Sequence, residues 1–230
     1  MVDKIGILTF LEESKHYLHN EDNIAKVKEL FFKYIDSDVN KADKFINSLN
    51  DIKNILKEDL SFFMESDPAA DNEEEVILTY PGYLAITHYR IAHQLYLLDL
   101  RVQARIITEQ AHLLTGIDIH PGADISYPFF IDHGTGIVIG ETSIIGKYVK
   151  IYQGVTLGAL SLSEGKKLKG VKRHPTIGNN VTIYAGASIL GGNVVIGDNV
   201  TIGSNVFLME SIPSNTKVTI GKPELILIKK

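Results

Sequence analysis

From residue 45 the apolar side chains Phe45, Leu49, Ile52, Leu56, Leu60 and Phe63 recur every three or four positions, a spacing that puts them on one face of a helix and marks that face as core. Asp67-Pro68 ends this helix, because proline disfavours the helical conformation in the residue before it. Asp71 or Asn72 followed by Glu73, Glu74 and Glu75 predicts a fresh helix start, with acids at the positive end of the dipole. Pro81, at a first helical turn, opens a helix over Gly82 to Leu98. A last one runs from about Val102 to Leu114, where Thr115-Gly116 stops it. Residues 1–115 thus predict an all-helical domain.

Past Gly116 the period becomes six. Ile119, Ile125, Ile131 and Ile137 keep that spacing, as do Ile139, Ile145, Ile151 and Leu157, then Ile177, Ile183 and Ile189, then Ile196, Ile202 and Leu208. Val149, Val155, Val181, Ala187, Val200 and Val206 follow four positions later, and glycine directly follows Ile139, Ile145, Leu157, Ile177, Ile196 and Ile202. One inward aliphatic per unit, with Gly or Asn where the backbone must turn, makes a short strand and a corner. Three such units close a triangular coil. The pattern resembles the hexapeptide-repeat, left-handed parallel β-helix, so the fold class predicted is α+β. The helical domain of 1–115 precedes a β-helix over 116–212, and 213–230 forms a C-terminal tail. Between Leu157 and Ile177 the spacing is 20 residues rather than six. Residues 159–175 must therefore leave the prism as an excursion loop, and long loops on regular scaffolds carry function or motion. It holds Lys166, Lys167, Lys169, Lys172, Arg173 and His174, a basic cluster that reads either as a solvated loop or as a device for capturing an anion.

Composition narrows the field. The 230 residues carry 23 Lys plus Arg against 28 Asp plus Glu, a net charge of -5, with no long basic block, which argues against nucleic acid and anionic lipid as partners. No apolar run approaches the roughly 20 residues of a membrane span. Cysteine is absent, which excludes disulfides, thiolate zinc sites and a cysteine nucleophile. Nothing in Met1 to Leu11 reads as a signal peptide, so the expected location is the cytoplasm.

Candidate chemistry sits among the inward aliphatics at Asp118, His120, Asp132 and His133. A coil of three hexapeptides holds 18 residues; Asp118 and His133, 15 apart, should lie nearly one coil apart and in contact. A carboxylate beside an imidazole fixes its tautomer and stabilises the imidazolium, which is how a histidine becomes a general base. The same pair could equally be a structural one that satisfies itself on the prism surface.

The motifs Ser-Asp-Pro-Ala (66–69), Tyr-Arg-Ile-Ala-His (89–93), Gly-Ile-Asp-Ile-His-Pro-Gly-Ala (116–123), Ile-Asp-His-Gly-Thr-Gly-Ile-Val-Ile-Gly-Glu-Thr (131–142), Gly-Val-Thr-Leu-Gly-Ala (154–159) and Arg-His-Pro (173–175) resemble the serine O-acetyltransferases. The resemblance covers about residues 60–210. It implies acetylation of L-serine by acetyl-CoA, the first step of cysteine synthesis, without a metal. It makes His133 the general base and Asp118 its orienting carboxylate. Asp67 and Asp132 would receive the substrate's ammonium, Arg173 and His174 its carboxylate, and Glu141 and Gln153 would line the same pocket. Acetyl-CoA would run along the groove between two prisms, past Gly158, Ala159, Ala185 and Gly203. The family's assembly is a homotrimer, or a hexamer of two trimers joined through the helical domains. Members that dock into O-acetylserine sulfhydrylase end in a flexible tail with a terminal isoleucine. This chain ends Leu225-Ile226-Leu227-Ile228-Lys229-Lys230, which argues against that partner.

Three competing readings share parts of the pattern. An acyltransferase for a sugar or an antibiotic would not need both an ammonium site and a carboxylate site, whereas homoserine differs from serine by one methylene, worth only about 1–3 kcal/mol. A zinc hydrolyase would use His120, His133 and His174 as a three-histidine set. A non-catalytic solenoid leaves the gathering of acids and histidines unexplained.

Overall fold

The computed structural model describes residues 2–20, 23–161, 165–168, 170–221 and 228. The N-terminal part is helical: α1 (Lys4–Asn20), α2 (Ile24–Leu30), a π-helical turn over Phe31–Ile35, α3 (Val39–Ser66), α4 (Glu73–Thr79), α5 (Pro81–Leu97) and α6 (Arg101–Thr115). The stripe from Phe45 to Phe63 on α3 is buried throughout. Asp67 caps the end of α3 in an extended conformation. The start of α4 is Asn72, whose side chain accepts the Glu75 N–H at 2.9 Å. Gly116 ends α6 at φ 71°, a left-handed conformation that suits glycine.

Five coils of a parallel β-helix follow. The first is β1 (Asp118–Ile119), β2 (Asp124–Ile125) and β3 (Phe129–Asp132); the second is β4 (Val138–Ile139), β5 (Ile144–Ile145) and β6 (Val149–Tyr152). The third is β7 (Thr156–Gly158), β8 (Thr176–Ile177) and β9 (Thr182–Ile183); the fourth is β10 (Ser188–Leu190), β11 (Val195–Ile196) and β12 (Thr201–Ile202). The last holds β13 (Phe207–Leu208), an isolated bridge from Ile212 to Ile196, and β14 (Lys217–Val218). Equivalent strands stack into three parallel sheets, β1-β4-β7-β10-β13, β2-β5-β8-β11 and β3-β6-β9-β12-β14. Ile119, Ile139, Leu157, Ile189 and Leu208 form one inward column and are all buried. Each such side chain contributes about 1.5–3 kcal/mol on burial. The parallel ladder runs past residue 212, to Lys217–Val218. The closing residues 225–227 and 229–230, on which the expectation about the sulfhydrylase rests, lie outside the described residues.

The glycines need a different explanation from the one the repeat suggests. Those that follow the inward aliphatics, such as Gly146 and Gly178, are not left-handed; a Cβ there would run into the backbone of the next coil. The left-handed turns fall elsewhere. One corner is turned by Tyr148, Asn180, Asn199 and Asn215, at φ 55° to 59°, and there Asn180 donates to Asn199 and Asn199 to Asn215, at 3.2 and 2.9 Å.

Helices and prism share one hydrophobic core. Phe62 and Phe63 of α3 pack edge-on against Phe130 of β3. The Tyr89 hydroxyl donates to Ala123 O at 2.6 Å. Arg90 donates to the carbonyls of Ile125 (2.5 Å) and Ser126 (3.0 Å) and pairs with Asp59, which accepts the Phe129 N–H at 2.8 Å. Asp59 and Arg90 are both buried, so this clamp fixes the strand that leads to His133. Among the described residues, no helix is long and apolar enough to cross a membrane.

Candidate functional site

The polar residues gather at two corners of the prism. The first corner joins the third sheet to the first, and His133 stands there, directly after β3. Its backbone is left-handed, φ 54°, and the turn continues through Gly134 and Gly136, at φ 85° and 80°. A non-glycine residue held there costs on the order of 1 kcal/mol or more. The His133 side chain is 71% exposed, and its Nδ1 lies 3.5 Å from Asp132 Oδ1. On the helical side, Asp67 accepts the Ala69 N–H at 2.9 Å and the Tyr80 hydroxyl at 2.7 Å. The Asp67 hydrogen bond, then burial and the charges of Asp67, Glu75 and Asp132, push the Tyr80 phenol up to about 12. Burial raises the Tyr152 phenol too, with Asp132 and Asp67 adding to it. Two carboxylates from different domains thus act on one spot beside His133.

Asp118 starts β1, at the head of the coil that ends at His133, and its partner in the ladder is Val138 of the next coil. The expected contact with His133 is not made: among the described residues no hydrogen bond joins the two. The left-handed turn at His133, Gly134 and Gly136 lengthens this corner and carries the imidazole into solvent. Arg105 Nη1 instead approaches Asp118 at 4.0 Å, and Glu109 and His112 lie beside it.

The second corner joins the first sheet to the second and contains Glu141, Thr142, Arg173 and His174. Arg173 pairs with Glu141, and Tyr96 donates to the other Glu141 oxygen at 2.8 Å. Burial acts to raise the Glu141 carboxyl, but the bonds from Arg173 and Tyr96 prevail and hold it below the usual carboxylate range. His174 is only 7% exposed. Burial, then the charges of Arg173 and Lys172, lower its imidazole to about 4. Lys172 is no open anion trap: its ammonium donates to the carbonyls of Thr142, His174 and Pro175 at 2.6, 2.5 and 3.1 Å. Lys169 lies outside the described residues, as does the Lys166 side chain. A cleft of about 680 Å³ opens beside this corner, between Tyr96, Arg101, Glu141, Thr142 and Lys172.

Several residues expected to share a pocket are therefore divided within one chain. Gln153, Ala185 and Gly203 follow strands of the third sheet and belong to the His133 corner. Glu141, Gly158 and Ala159 follow or end strands of the first sheet and belong to the Arg173 corner. The three-histidine set is likewise divided within one chain: His120 and His174 lie at the Arg173 corner, His133 at the other. Among the described residues only Glu109, His112 and Asp118 converge as a group of three such ligands. Sequence reasoning missed Tyr80, Tyr152 and Thr142. Tyr152 had a detectable signal, since it follows the inward Ile151 just as Asp132 follows Ile131.

Stacked coils of short parallel strands with one inward aliphatic every six residues make this a hexapeptide-repeat protein, and the bacterial transferase hexapeptide family (six repeats) matches residues 174–209. The plasmid serine acetyltransferase of Synechococcus elongatus is 53% identical over 146 residues, 62% of this chain and 46% of its own length. The solved structure of serine acetyltransferase isoform 3 from Entamoeba histolytica, in complex with cysteine, superposes with a TM-score of 0.84 at 35% identity. That match covers 96% of this chain and 84% of the other. A serine acetyltransferase solved in complex with CoA aligns with TM-score 0.67 and 26% identity, over 94% and 98%. The chain belongs to the serine acetyltransferase family. It spans about half the length of the cyanobacterial relatives it matches, at 46%, 52% and 51%.

Proposed function

We propose that the chain transfers the acetyl group of acetyl-CoA to the hydroxyl of L-serine, yielding O-acetyl-L-serine and CoA for cysteine synthesis in the cytoplasm. The observation that carries this reading is the division of a zwitterion's binding groups between two corners: carboxylates Asp67 and Asp132 with His133 at one, Arg173 and His174 at the next. An α-amino acid presents an ammonium and a carboxylate, and needs anions at one end and a guanidinium fork at the other. One chain cannot close both ends. The His133 corner of one copy set against the Arg173 corner of a neighbour does so, and three copies complete a ring; two such trimers can join through their helical domains. The pantetheine arm would lie in the groove so formed, between Gly158 and Ala159 of one wall and Ala185 and Gly203 of the other.

In this arrangement His133 takes the proton from the serine hydroxyl as its oxygen attacks the thioester carbonyl. Collapse of the tetrahedral intermediate breaks the C–S bond, and the imidazolium returns the proton to the departing CoA thiolate. Asp118 is the carboxylate that the family resemblance assigns to steady the imidazolium. No acyl-enzyme is formed. Because the chain has no cysteine, a thiol reagent reports released CoA without background. The test offers acetyl-CoA with L-serine, L-homoserine or an amino sugar. Turnover with serine is expected; turnover only with the amino sugar would overturn the assignment of Asp67 and Arg173, and turnover only with homoserine, itself a zwitterion, would overturn serine as the acceptor.

A further inference from the structure

Thr142 follows Glu141 in the turn after β4, and every polar atom it has is engaged with the segment that carries Arg173 and His174. Its hydroxyl oxygen accepts the N–H of Arg173 at 2.9 Å and that of His174 at 3.1 Å. The same oxygen lies 2.9 Å from His174 Nδ1, and the Thr142 backbone N–H points at that nitrogen from 3.0 Å. Its carbonyl accepts the Lys172 ammonium at 2.6 Å. A hydroxyl has one proton and two acceptor lone pairs. Both lone pairs are taken by backbone N–H groups, so its proton is left for Nδ1.

A ring nitrogen approached by two donors must hold a lone pair, and a neutral imidazole then carries its proton on Nε2. We infer that Thr142 is a positioning residue that locks His174 in the Nε2–H form and so turns the ring into a fixed donor for the acceptor's carboxylate. The carboxylate as ligand rests on the function proposed above; the tautomer does not. A carboxylate only accepts, so the opposite tautomer would set a lone pair against it. Gly140 completes the arrangement from below, since a Cβ there would collide with the His174 ring. Burial and the flanking cations keep the ring uncharged, which leaves the positive charge of the clamp to Arg173.

The test is nitrogen-resolved NMR on the histidine-labelled full chain without substrate, with His174→Gln to assign the ring. Between pH 6 and 8 the wild type should show a directly bonded proton on Nε2 of His174 and none on Nδ1. Thr142→Val removes the hydroxyl donor and leaves the backbone N–H, so it should admit a detectable minority of the Nδ1–H form, and Thr142→Ser should restore the single form. A proton on Nδ1 in the wild type, or a Thr142→Val ring that keeps a pure Nε2–H form, overturns the inference. Should Thr142→Val not fold, the wild-type spectrum decides alone. In kinetics, Thr142→Val should raise the KM for serine about tenfold to a hundredfold, as loss of a bond to a charged group does, with kcat and the KM for acetyl-CoA moving far less. An unchanged serine KM overturns the positioning role. A wild type that turns over no serine but shows the Nε2–H form sinks the function proposed and leaves the tautomer lock standing.

Discussion

At the His133 corner the imidazole is 71% exposed, and its near approach within the chain is 3.5 Å, to Asp132. At the Arg173 corner the imidazole is 7% exposed and its Nδ1 faces two donors, while the neighbouring lysine spends its ammonium on three carbonyls. The same repeat builds both corners, so the difference comes from what is added to each. The first gains an extended left-handed turn that pushes a titratable ring outward. The second gains the 159–175 excursion, whose end folds back onto Thr142. An open corner is available to a reacting hydroxyl; a saturated one is preorganised to hold the substrate's charge. In the function proposed above, the two act together when they meet between different copies.

The comparison breaks most easily at His133. Its replacement by alanine removes the proposed base and should lower kcat by about 10² to 10⁴-fold. Because the side chain is exposed, the unfolding midpoint should stay within about 0.5 kcal/mol of wild type. A variant that keeps most of its CoA release would return the Asp/His cluster to a structural role. Next in size is the clamp beneath the corner. Arg90→Met leaves Asp59 buried and unpaired and should cost about 3–5 kcal/mol in denaturant unfolding. A loss near zero would mean that the helical domain does not hold β3 in place.

Mixing sharpens the comparison. His133→Ala and His174→Ala should each be nearly inactive alone. Co-expressed in equal amounts, they should form trimers in which about a quarter of the interfaces pair an intact His133 corner with an intact Arg173 corner. Recovered activity near that fraction supports a site made by two chains. Mixed trimers with no recovery would place both corners' functions within one chain.

The helices could be read from the sequence because their signals are local. The Phe45 to Phe63 stripe, the Asn72 cap and Gly116 are set by neighbours in the chain. The prism could be read because one inward aliphatic per six residues is a strict demand of stacking. Whether His133 meets Asp118 could not be read, because it depends on register: 18 residues per coil would stack position 118 on 136, three past His133, whereas the added turn residues pair Asp118 with Val138. The roles of Tyr80 and Thr142 were hidden for a related reason. Each works through a partner 13 or 32 residues away, and neither residue type signals such a bond. That the site divides between corners follows from which sheet each strand joins, which the hexapeptide pattern alone does not number.

The smallest expected effect is on stability against pH, and it separates the saturated corner from solvent. Burial lowers His174 and His88 to about 4, against an ordinary 6.5. Between those values the unfolded chain binds a proton at each histidine that the folded chain refuses, so protonation favours unfolding. The stability these rings lend is fully present above about pH 6.5 and drains away as the pH falls toward 4. Its slope is at most about 1.4 kcal/mol per pH unit for each histidine. Urea midpoints at pH 7, 6 and 5 should therefore fall in the wild type and fall less steeply in His174→Gln, which carries no proton to refuse. If His174→Gln instead tracks the wild type across that window, the ring takes up its proton in the folded state, and the Arg173 corner is as open as its counterpart.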